Sequence, residues 1–326
     1  MKISIAVPAY NEERNIGLLI DSLRAQRTQR ADIVEIVVIA SGCTDRTVDI
    51  VRDRQGRQGT RVRLICEPQR RGKVAAINTY LRLGDAHVDA ICLCSADVLV
   101  APDALEHLAR CLLRHPDVGM CGARPVPTNG HGTFLGEATR FLWHMHHRVA
   151  LEAPKLGELV LLRAGIVSGL PSESAVDEAT LEQIICARGY RLAYVPEAVV
   201  HNHGPETLRD FIRQRRRIAA GHYWLRAVSG YAVSTMDIRR LLRLTLSELD
   251  LLQPRRTLYA LGTIAVEALS RGLGLYDFLL HRDRHTVWEV CESTKAVLTD
   301  ELRRLYQPDA EETGQALPTL RRAANS

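Results

Sequence analysis

Short apolar runs alternate with amphipathic segments along the first hundred residues. Runs of strand length lie at 3–7, 34–39, 62–66 and 88–94. Between the first two, Ile16, Leu19, Ile20 and Leu23 follow the spacing of one helix face. Strands that alternate with helices of this length predict an α/β fold with a mostly parallel sheet, flanked by helices and joined by right-handed crossovers.

Polar residues follow each of the four predicted strands. They are Tyr10 and Glu12, the segment 41–45, the segment 71–73, and Ser95 to Asp97. Because the carboxyl ends of parallel strands face one crevice, we expect these loops to meet at one edge of the sheet. Asp97 taken alone is more often part of a turn or a helix start than a metal ligand. Its neighbours at the same edge favour the ligand role.

The C-terminal third has a helical pattern of a different character. From Ile238 onward, apolar residues recur at helical spacing opposite Arg239, Arg240 and Arg243, a pattern typical of basic interfacial helices. A second apolar run at 257–280 carries too many charges to span a membrane. Three roles remain open for residues 237–280: contact with a membrane surface, packing on the rest of the chain, or formation of a homodimer.

These patterns divide the chain into three parts. Residues 1–222 form the predicted α/β domain, 223–306 a helical extension, and 307–326 a polar, flexible tail.

Composition and charge indicate a globular protein in a reducing compartment. Charged residues make up 25% of the 326 residues, and the net charge is +5. Arginines cluster at 213–217 and 239–256, which favours phosphate groups or an anionic membrane surface. No aromatic-rich basic platform accompanies them, so we expect no nucleic-acid partner.

The cysteines and the N-terminus bear on location. The eight cysteines include no CxxC pair, which favours reduced thiols. The chain runs from Met1 directly into a strand pattern, so no signal peptide is expected. We therefore predict a cytoplasmic protein, or one held peripherally on the inner face of the plasma membrane.

Two common nucleotide-binding motifs are missing from the chain. No GxGxxG follows the first strand, and no GxxxxGK[ST] loop occurs. This disfavours dinucleotide dehydrogenases and P-loop enzymes.

Four segments occur in an order that is more specific than any one of them. They read VPAYNEE at 7–13, SGCTDRT at 41–47, RGKVAAIN at 71–78 and SAD at 95–97. Together they resemble the successive motifs of the family 2 glycosyltransferases, and the resemblance continues through Asp177 and Glu178 to Gln214 and Arg217. It covers roughly the first two-thirds of the chain. It implies a GT-A (Rossmann-like) fold, to which the helical pattern adds a C-terminal extension.

The resemblance also implies a donor site for a UDP- or GDP-linked sugar. The first loop and the 41–45 region would hold base and ribose, while Lys73 and Arg217 would neutralise the diphosphate. The implied donor-binding residues are Pro8, Ala9, Tyr10, Glu12, Ser41, Lys73, Ser95, Ala96 and Arg217. Family members often carry Asp-Asp where this chain has Ala40 and Ser41, which leaves the nucleobase open. Ile218 replaces the tryptophan of a QxxRW motif, which disfavours processive synthesis.

The family pattern places a divalent metal at Asp97. Ser95 stands where family members often have the first acid of Asp-x-Asp. Mn²⁺ or Mg²⁺ would therefore be held by Asp97, the diphosphate and a later residue, with His203 preferred to His201. A histidine bonded to the backbone in a turn is the equal alternative.

Two carboxylates lie at a predicted helix start. Asp177 and Glu178 are ordinary there, since the helix dipole favours negative charge at its N-terminus. The resemblance implies that one of them is the general base. Glu178 aligns with that base, and a slip of one residue would select Asp177.

The sequence predicts an inverting glycosyltransferase that moves a sugar from a nucleoside diphosphate to a hydroxyl acceptor, which is lipid-linked if the extension lies on a membrane. A nucleotidyltransferase acting on a sugar phosphate shares such a sheet, but its first loop would be Gly-rich and basic rather than acidic. A catalytically degenerate GT-A binding protein would account for the acids missing at Ala40, Ser41 and Ser95.

Overall fold

The computed structural model describes residues 1–84, 87–249 and 252–281, and an eight-stranded sheet forms its centre. The strands are β1 (Lys2–Ala9), β2 (Asp32–Ser41), β3 (Arg61–Glu67), β4 (Ala90–Cys94), β5 (Val98–Val100), β6 (Val118–Pro127), β7 (Leu159–Arg163) and β8 (Arg191–Asn202). Their spatial order is β3-β2-β1-β4-β7-β6-β8-β5.

The sheet is parallel in its first half and mixed in its second. β1 pairs in parallel with β2 and β4, and β2 pairs in parallel with β3, as the sequence predicts. β7 runs antiparallel to both β4 and β6, and β5 runs antiparallel to β8. The α/β class is confirmed, but regular alternation describes only the strands up to β4.

Helices cover the sheet and extend beyond it. They are α1 (Ile16–Arg24), α2 (Thr47–Gln55), α3 (Lys73–Leu83), α4 (Ala104–Arg114), α5 (Phe134–Glu152), α6 (Asp177–Ala187), α7 (Leu208–Ser229), α8 (Ile238–Glu248) and α9 (Pro254–Tyr276). A 3-10 turn at Ser234–Met236 precedes α8, and a π-helical turn at Asp277–His281 follows α9. Since α7 continues to Ser229, it crosses the boundary predicted between residues 222 and 223.

The buried residues divide between the two faces of the sheet. Ile3, Ile5 and Val7 of β1 belong to the core that contains the apolar residues of α1 and α4. Ala6 belongs to the other core, with residues of α3 and α6. Successive strand residues point to opposite faces, so a strand covered on both sides is apolar throughout. This explains the continuous apolar runs in the sequence.

A glycine allows two loops to meet at the carboxyl edge of the sheet. Gly42, just after β2, has a φ of +66°, and a Cβ atom there would lie 2.4 Å from the backbone nitrogen of Arg70. Glycine adopts such a backbone conformation without the steric cost of a side chain. The loop after β2 can therefore lie directly against the loop that leads into α3.

The helical extension packs on the α/β domain. Arg215 on α7 pairs with Glu267 on α9, and Arg240 on α8 pairs with Glu152 on α5. Leu244 packs on the α5 residues Met145 and Val149. Of the three roles considered for residues 237–280, packing on the rest of the chain is therefore seen directly.

The length and apolarity of the described helices show whether any of them could span a membrane. None of them combines the length and the apolarity needed to cross a bilayer. The end of the predicted extension, 282–306, and the predicted tail, 307–326, lie outside the described residues.

Candidate active site

A cavity of about 830 Å³ opens where β1, β2 and β4 end. Its walls include the nine residues that the family resemblance assigns to the donor: Pro8, Ala9, Tyr10, Glu12, Ser41, Lys73, Ser95, Ala96 and Arg217. The expected convergence of the strand-end loops is thus observed. Residues of α5, α7, α8 and α9 line the cavity as well.

At the loop after β2, a buried acid lies beside Ser41. The Ser41 hydroxyl donates to Glu67 Oε2 at 2.7 Å, and Glu67 Oε1 accepts from Thr79 and Arg71 at 2.6 and 2.8 Å. Burial by itself raises the pKa of Glu67, but these three hydrogen bonds outweigh it and leave the pKa below its usual value. Sequence reasoning missed Glu67, although its place at the end of β3 was a signal.

The ring of Tyr10 is covered on one face. The guanidinium carbon of Arg70 lies 3.9 Å from the centre of that ring, which is the geometry of a cation–π contact. The loop after β1 is thereby tied to the loop before α3, and both border the cavity.

Lys73 is the cation at the centre of the site. It begins α3, and its Nζ lies 2.6 Å from Glu178 Oε1, 2.9 Å from Asp177 Oδ2 and 3.4 Å from Ser95 Oγ. Burial alone would lower the pKa of Lys73, but the charges of Asp177 and Glu178 raise it well above its usual value. The amine therefore stays protonated at neutral pH.

The two carboxylates at the start of α6 differ in environment. Asp177 is 2% exposed and does not line the cavity, whereas the side chain of Glu178 is 21% exposed and does. Burial and the charge of Glu178 raise the pKa of Asp177 to about 7. Burial would also raise the pKa of Glu178, but Lys73 outweighs it and holds that pKa at about 2. Glu178 is thus an ionised carboxylate that a substrate can reach.

Helix capping does not explain this pair. The N-cap of α6 is Val176, which makes no side-chain cap. Asp177 and Glu178 instead point their carboxylates at Lys73.

The residues predicted to bind a metal are only partly brought together. Asp97 and His203 line the cavity, whereas His201 does not. His203 Nδ1 lies 2.9 Å from Thr128 Oγ1, and Nε2 lies 3.0 Å from Glu206 Oε1. Both ring nitrogens therefore have protein partners, so His203 would have to exchange one to bind a metal.

His201 sits inside the sheet. It lies in β8, opposite Leu99 of β5 and Val126 of β6. Burial lowers the pKa of its imidazole. Across the described residues, no group of three or more His, Cys, Asp and Glu side chains is arranged to hold a metal ion.

Glu158 is an acid of the site that sequence reasoning missed. It precedes β7 with a φ of +60° and lines the cavity, and its carbonyl accepts from the backbone N–H of Ser95 at 2.8 Å. Burial first, and then the charges of Asp97 and Glu178, raise the pKa of its carboxyl to about 7. Such a backbone conformation costs about 1–3 kcal/mol for a residue other than glycine. The only sequence signal was an acid between Gly157 and an apolar strand.

The donor atoms of this site fit a hard divalent cation. Asp97 and Glu158 offer carboxylate oxygens, which Mg²⁺ and Mn²⁺ prefer. Lys73 already has two carboxylates of its own, Asp177 and Glu178. Burial raises the pKa of Glu158, and the negative charges of Asp97 and Glu178 raise it further. A divalent cation bound with a diphosphate would relieve that repulsion.

The other wall of the cavity, which we call the apolar chamber, comes from helices. Its members are Phe141, Leu142, Trp143, Met145, Val149, Ile218, Ile238, Leu241, Leu242, Leu246, Leu249, Leu261 and Ile264. Lys155, Arg215, Glu267 and Arg271 line the cavity as well. The helical spacing of 238–249 signalled an apolar face, but not that this face would border the site.

Curated relatives of the chain are glycosyltransferases. The probable glycosyltransferase YdaM of Bacillus subtilis is 24% identical over 244 residues, which are 69% of this chain and 56% of that protein. The poly-beta-1,6-N-acetyl-D-glucosamine synthase of Staphylococcus aureus is 23% identical over 230 residues, 67% of this chain and 54% of that protein. The chain thus spans about half the length of these relatives.

Solved structures of low sequence identity share the fold. The mannosyltransferase PcManGT from Pyrobaculum calidifontis, in complex with GDP-Man and Mn²⁺, has a TM-score of 0.57 at 24% identity, covering 86% of this chain and 81% of its own. Glucosyl-3-phosphoglycerate synthase from Mycobacterium tuberculosis, in complex with Mn²⁺, UDP and glucosyl-3-phosphoglycerate, has a TM-score of 0.50 at 20% identity, covering 72% and 81%. The GT-A fold predicted from the sequence is confirmed.

Two family models match overlapping parts of the sequence. The model described as glycosyl transferase family 2 matches residues 4–157, and the model described as glycosyl transferase family group 2 matches residues 90–280. The second match covers more than half of the chain, and both include strand-end loops that build the cavity. The chain therefore belongs to family 2 of the glycosyltransferases.

Proposed function

We propose that the protein is an inverting, metal-dependent glycosyltransferase that moves a sugar from a UDP- or GDP-linked donor to a hydroxyl of its acceptor. One observation carries the proposal. Glu178, ion-paired to Lys73 at 2.6 Å, lines the same cavity as Asp97 and the strand-end loops. A base, a cation for the diphosphate and a metal-binding carboxylate thus border one space.

The donor binds along the strand ends. Tyr10 and Ser41 contact the base and ribose, and the positive charges of Lys73 and Arg217 attract the diphosphate. In the free protein, the Lys73 ammonium contacts both Asp177 and Glu178. A diphosphate competes for that ammonium, so its arrival weakens the ion pair and makes Glu178 a stronger base.

Glu178 then acts on the acceptor. Its carboxylate takes the proton of the acceptor hydroxyl while the oxygen attacks the anomeric carbon, and the bond from that carbon to the diphosphate breaks. This single displacement inverts the configuration of the sugar. General-base help of this kind contributes about 10²–10⁴-fold in rate.

Asp97 and Glu158 are the protein groups that would hold the divalent cation, and the diphosphate would complete its coordination. When bound, Mn²⁺ or Mg²⁺ stabilises negative charge on the departing diphosphate as a Lewis acid. His203 joins them only by giving up Thr128 or Glu206, its present partners. His201 takes no part, since it does not line the cavity.

The apolar chamber favours a lipid-linked acceptor. Ile238, Leu242 and Leu246 line it from α8, and they are 68%, 60% and 69% exposed. They stand one helical turn apart and form an open apolar stripe. We propose that this stripe contacts the inner face of the plasma membrane, from which the acceptor reaches Glu178. A homodimer through the same stripe is the competing arrangement.

A donor screen tests the proposed activity. The protein is incubated with UDP-, GDP- and dTDP-linked sugars and Mn²⁺, and release of the nucleoside diphosphate to water is followed. We expect slow release from one class of donor, and loss of that release with EDTA. Pyrophosphate release from a nucleoside triphosphate and a sugar phosphate would instead identify a nucleotidyltransferase. Binding of a donor without any turnover, even with acceptors present, would identify a degenerate binding protein.

A further inference from the structure

The acceptor side of the cavity carries positive charges that the proposed mechanism does not use. Lys155 follows α5, Arg215 lies on α7 and Arg271 lies on α9, and all three line the cavity. The histidines His146 and His222 line it too. These five residues come from segments far apart in sequence, and we call them the basic cluster.

The carboxylates around the basic cluster do not balance its charge. Arg215 donates to both oxygens of Glu267, at 2.7 and 2.8 Å, and Arg271 donates to the same carboxylate at 2.7 Å. Two guanidinium groups therefore share one negative charge. A partly desolvated cation in this position gains from an added anion, because burying unbalanced charge is costly.

Lys155 adds a third cation with a weak counter-charge. Its Nζ lies 3.4 Å from Glu182 Oε1, which also accepts the backbone N–H of Leu156 at 2.7 Å. Burial raises the pKa of Glu182 above its usual value. Even with both carboxylates ionised, the three cations Lys155, Arg215 and Arg271 outnumber Glu182 and Glu267, so the charge of the group is positive.

The two histidines supply neutral hydrogen-bond donors. Burial lowers the pKa of His146 to about 3, and the charges of Lys155 and Arg215 act in the same direction. Burial lowers the pKa of His222 well below its usual value, and the charges of Lys155, Arg215 and Arg271 act in the same direction. A neutral imidazole carries one N–H. Among the described residues, His146 Nδ1 is buried and has no hydrogen-bond partner.

The basic cluster lies next to the proposed base. Glu182, the neighbour of Lys155, is one turn of α6 beyond Glu178, a rise of about 6 Å. The apolar chamber continues the same wall. A molecule that presents its hydroxyl to Glu178 would therefore pass Lys155 before its remaining part enters the chamber.

We propose that the basic cluster is an anion subsite for the acceptor. Lys155, Arg215 and Arg271 bind a phosphate ester, with the imidazole N–H groups as further donors, while the apolar chamber takes the attached hydrocarbon. Guanidinium groups suit this role because they bind phosphate oxygens in pairs. The proposal rests on the proposed function for the use of the subsite, but binding of the anion requires neither donor nor turnover.

Calorimetric titration of the full chain tests the subsite directly. The probes are n-dodecyl phosphate, the neutral amphiphile n-dodecyl maltoside, and inorganic phosphate. Both amphiphiles are kept below their critical micelle concentrations. We expect dodecyl phosphate to bind at least about tenfold more tightly than the maltoside. Inorganic phosphate that binds more weakly than dodecyl phosphate, and loses affinity in the same variants, described below, would also support the subsite. That result would show that the phosphate group is recognised without the hydrocarbon.

Two variants and a matched control identify the residues. Arg271→Gln leaves Glu267 with its two hydrogen bonds from Arg215. Lys155→Gln leaves Glu182 with the hydrogen bonds from the Leu156 N–H and the Tyr231 hydroxyl. Each should weaken dodecyl phosphate binding about tenfold, while Arg57→Gln, at an exposed site outside the cavity, should not change it. In the wild-type protein, dodecyl phosphate should also shift the ring signals of His146 and His222 in NMR spectra, a readout that needs no variant.

Three results would overturn the proposal. The first is equal affinity for dodecyl phosphate and dodecyl maltoside. The second is wild-type affinity for dodecyl phosphate in both folded variants. The third is that the ring signals of His146 and His222 do not shift when dodecyl phosphate is added. A lower melting temperature with unchanged affinity would make the cluster a structural network only. If donors fail to bind while phosphate binding depends on Arg271, the proposed function fails and the subsite stands. If donors turn over and Arg271 has no effect on phosphate binding, the subsite alone fails.

Discussion

The two walls of the cavity are built in different ways. The wall proposed for the donor, which we call the donor wall, comes mostly from segments after β1, β2, β3 and β4, within the first hundred residues, and Arg217 of α7 adds to it. The wall proposed for the acceptor, which we call the acceptor wall, comes from α5 and from the later, consecutive helices α7, α8 and α9. Strand topology alone places the first set at one edge, whereas helix packing has to place the second. The position of the strand-end loops is therefore predictable from the sequence, and that of the helical wall only from the structure.

The walls also differ in charge. Acids crowd the catalytic end, where Asp177 and Glu178 share one cation, Lys73. At the acceptor wall the roles are reversed, since Arg215 and Arg271 share one carboxylate, Glu267. The first arrangement suits a divalent cation and a proton transfer, and the second suits an anion.

The largest expected effect is at the catalytic end. Glu178→Gln removes the proposed base, so transfer to the acceptor should fall by about 10²–10⁴-fold. Nucleotide binding should remain, because the amide keeps the shape of the side chain. The measurements are single-turnover transfer and calorimetric titration with UDP and GDP. The control is Glu173→Gln, outside the cavity. A larger loss of transfer in Asp177→Asn would move the base to Asp177.

The next effect concerns the metal. Asp97→Ala should weaken binding of Mn²⁺ in the presence of UDP or GDP by at least about 10–100-fold, because that is the loss seen when only a hydrogen-bond partner of a metal ligand is removed. Isothermal titration calorimetry measures it. Asp103→Ala removes an exposed carboxylate that pairs with Arg27, and it should bind Mn²⁺ as the wild type does. An Asp97→Ala protein with wild-type affinity would refute the metal site.

A smaller effect is expected at the mouth of the apolar chamber. Leu246→Asp places a charge on the open stripe of α8 and should reduce binding to vesicles of anionic phospholipid at least about tenfold, since a leucine contributes about 1.5–3 kcal/mol on leaving water. Donor hydrolysis to water should not change. Leu151→Asp, at an exposed leucine of α5 outside the cavity, is the control. A shift from dimer to monomer in sedimentation, with no vesicle binding by the wild type, would assign the stripe to self-association.

The smallest effect is a change in pH dependence at the acceptor wall. An unfolded histidine takes up a proton near pH 6.5, but His146 has a pKa of about 3 in the folded protein. The unfolded state therefore binds more protons between these values, and stability falls as the pH drops below 6.5, by up to about 1.4 kcal/mol per pH unit for one histidine.

His146→Phe should remove the part of the stability loss below pH 6.5 that His146 contributes. The ring contacts of His146 with Trp143 and Tyr194 are edge-on, which phenylalanine can keep. Melting temperatures of wild type and variant at pH 7 and pH 5 give the measurement. An equal loss of stability in both proteins would contradict the low pKa of His146.

The hydrophobic pattern predicts the strand-end residues of the cavity better than the residues that tertiary packing places there. Lys73, Ser95 and Asp97 meet at the cavity because each stands at a strand end or a helix start that the hydrophobic pattern defines, and their roles stay predictions. Asp177 and Glu178 could not be told apart, since only burial distinguishes them. Glu158 was missed because its place in the site depends on a positive φ, which no pattern of apolar residues predicts.

The second half of the fold shows the same limit. β7 inserts between β4 and β6 and reverses the direction of the sheet, although its apolar run resembles those of the parallel strands. A strand buried on both faces has the same composition in either direction. His203 was predicted as a metal ligand and lines the cavity, but its bonds to Thr128 and Glu206 are tertiary contacts that the sequence does not contain.

The shared ammonium of Lys73 has a kinetic consequence. While it contacts Glu178 at 2.6 Å, an acceptor that arrives first meets a carboxylate too weakly basic to activate it. We therefore expect that an acceptor can bind before the donor but is activated only after the donor diphosphate has engaged Lys73. The nucleoside diphosphate should inhibit competitively against the donor, and acceptor analogues should bind to the donor-free protein.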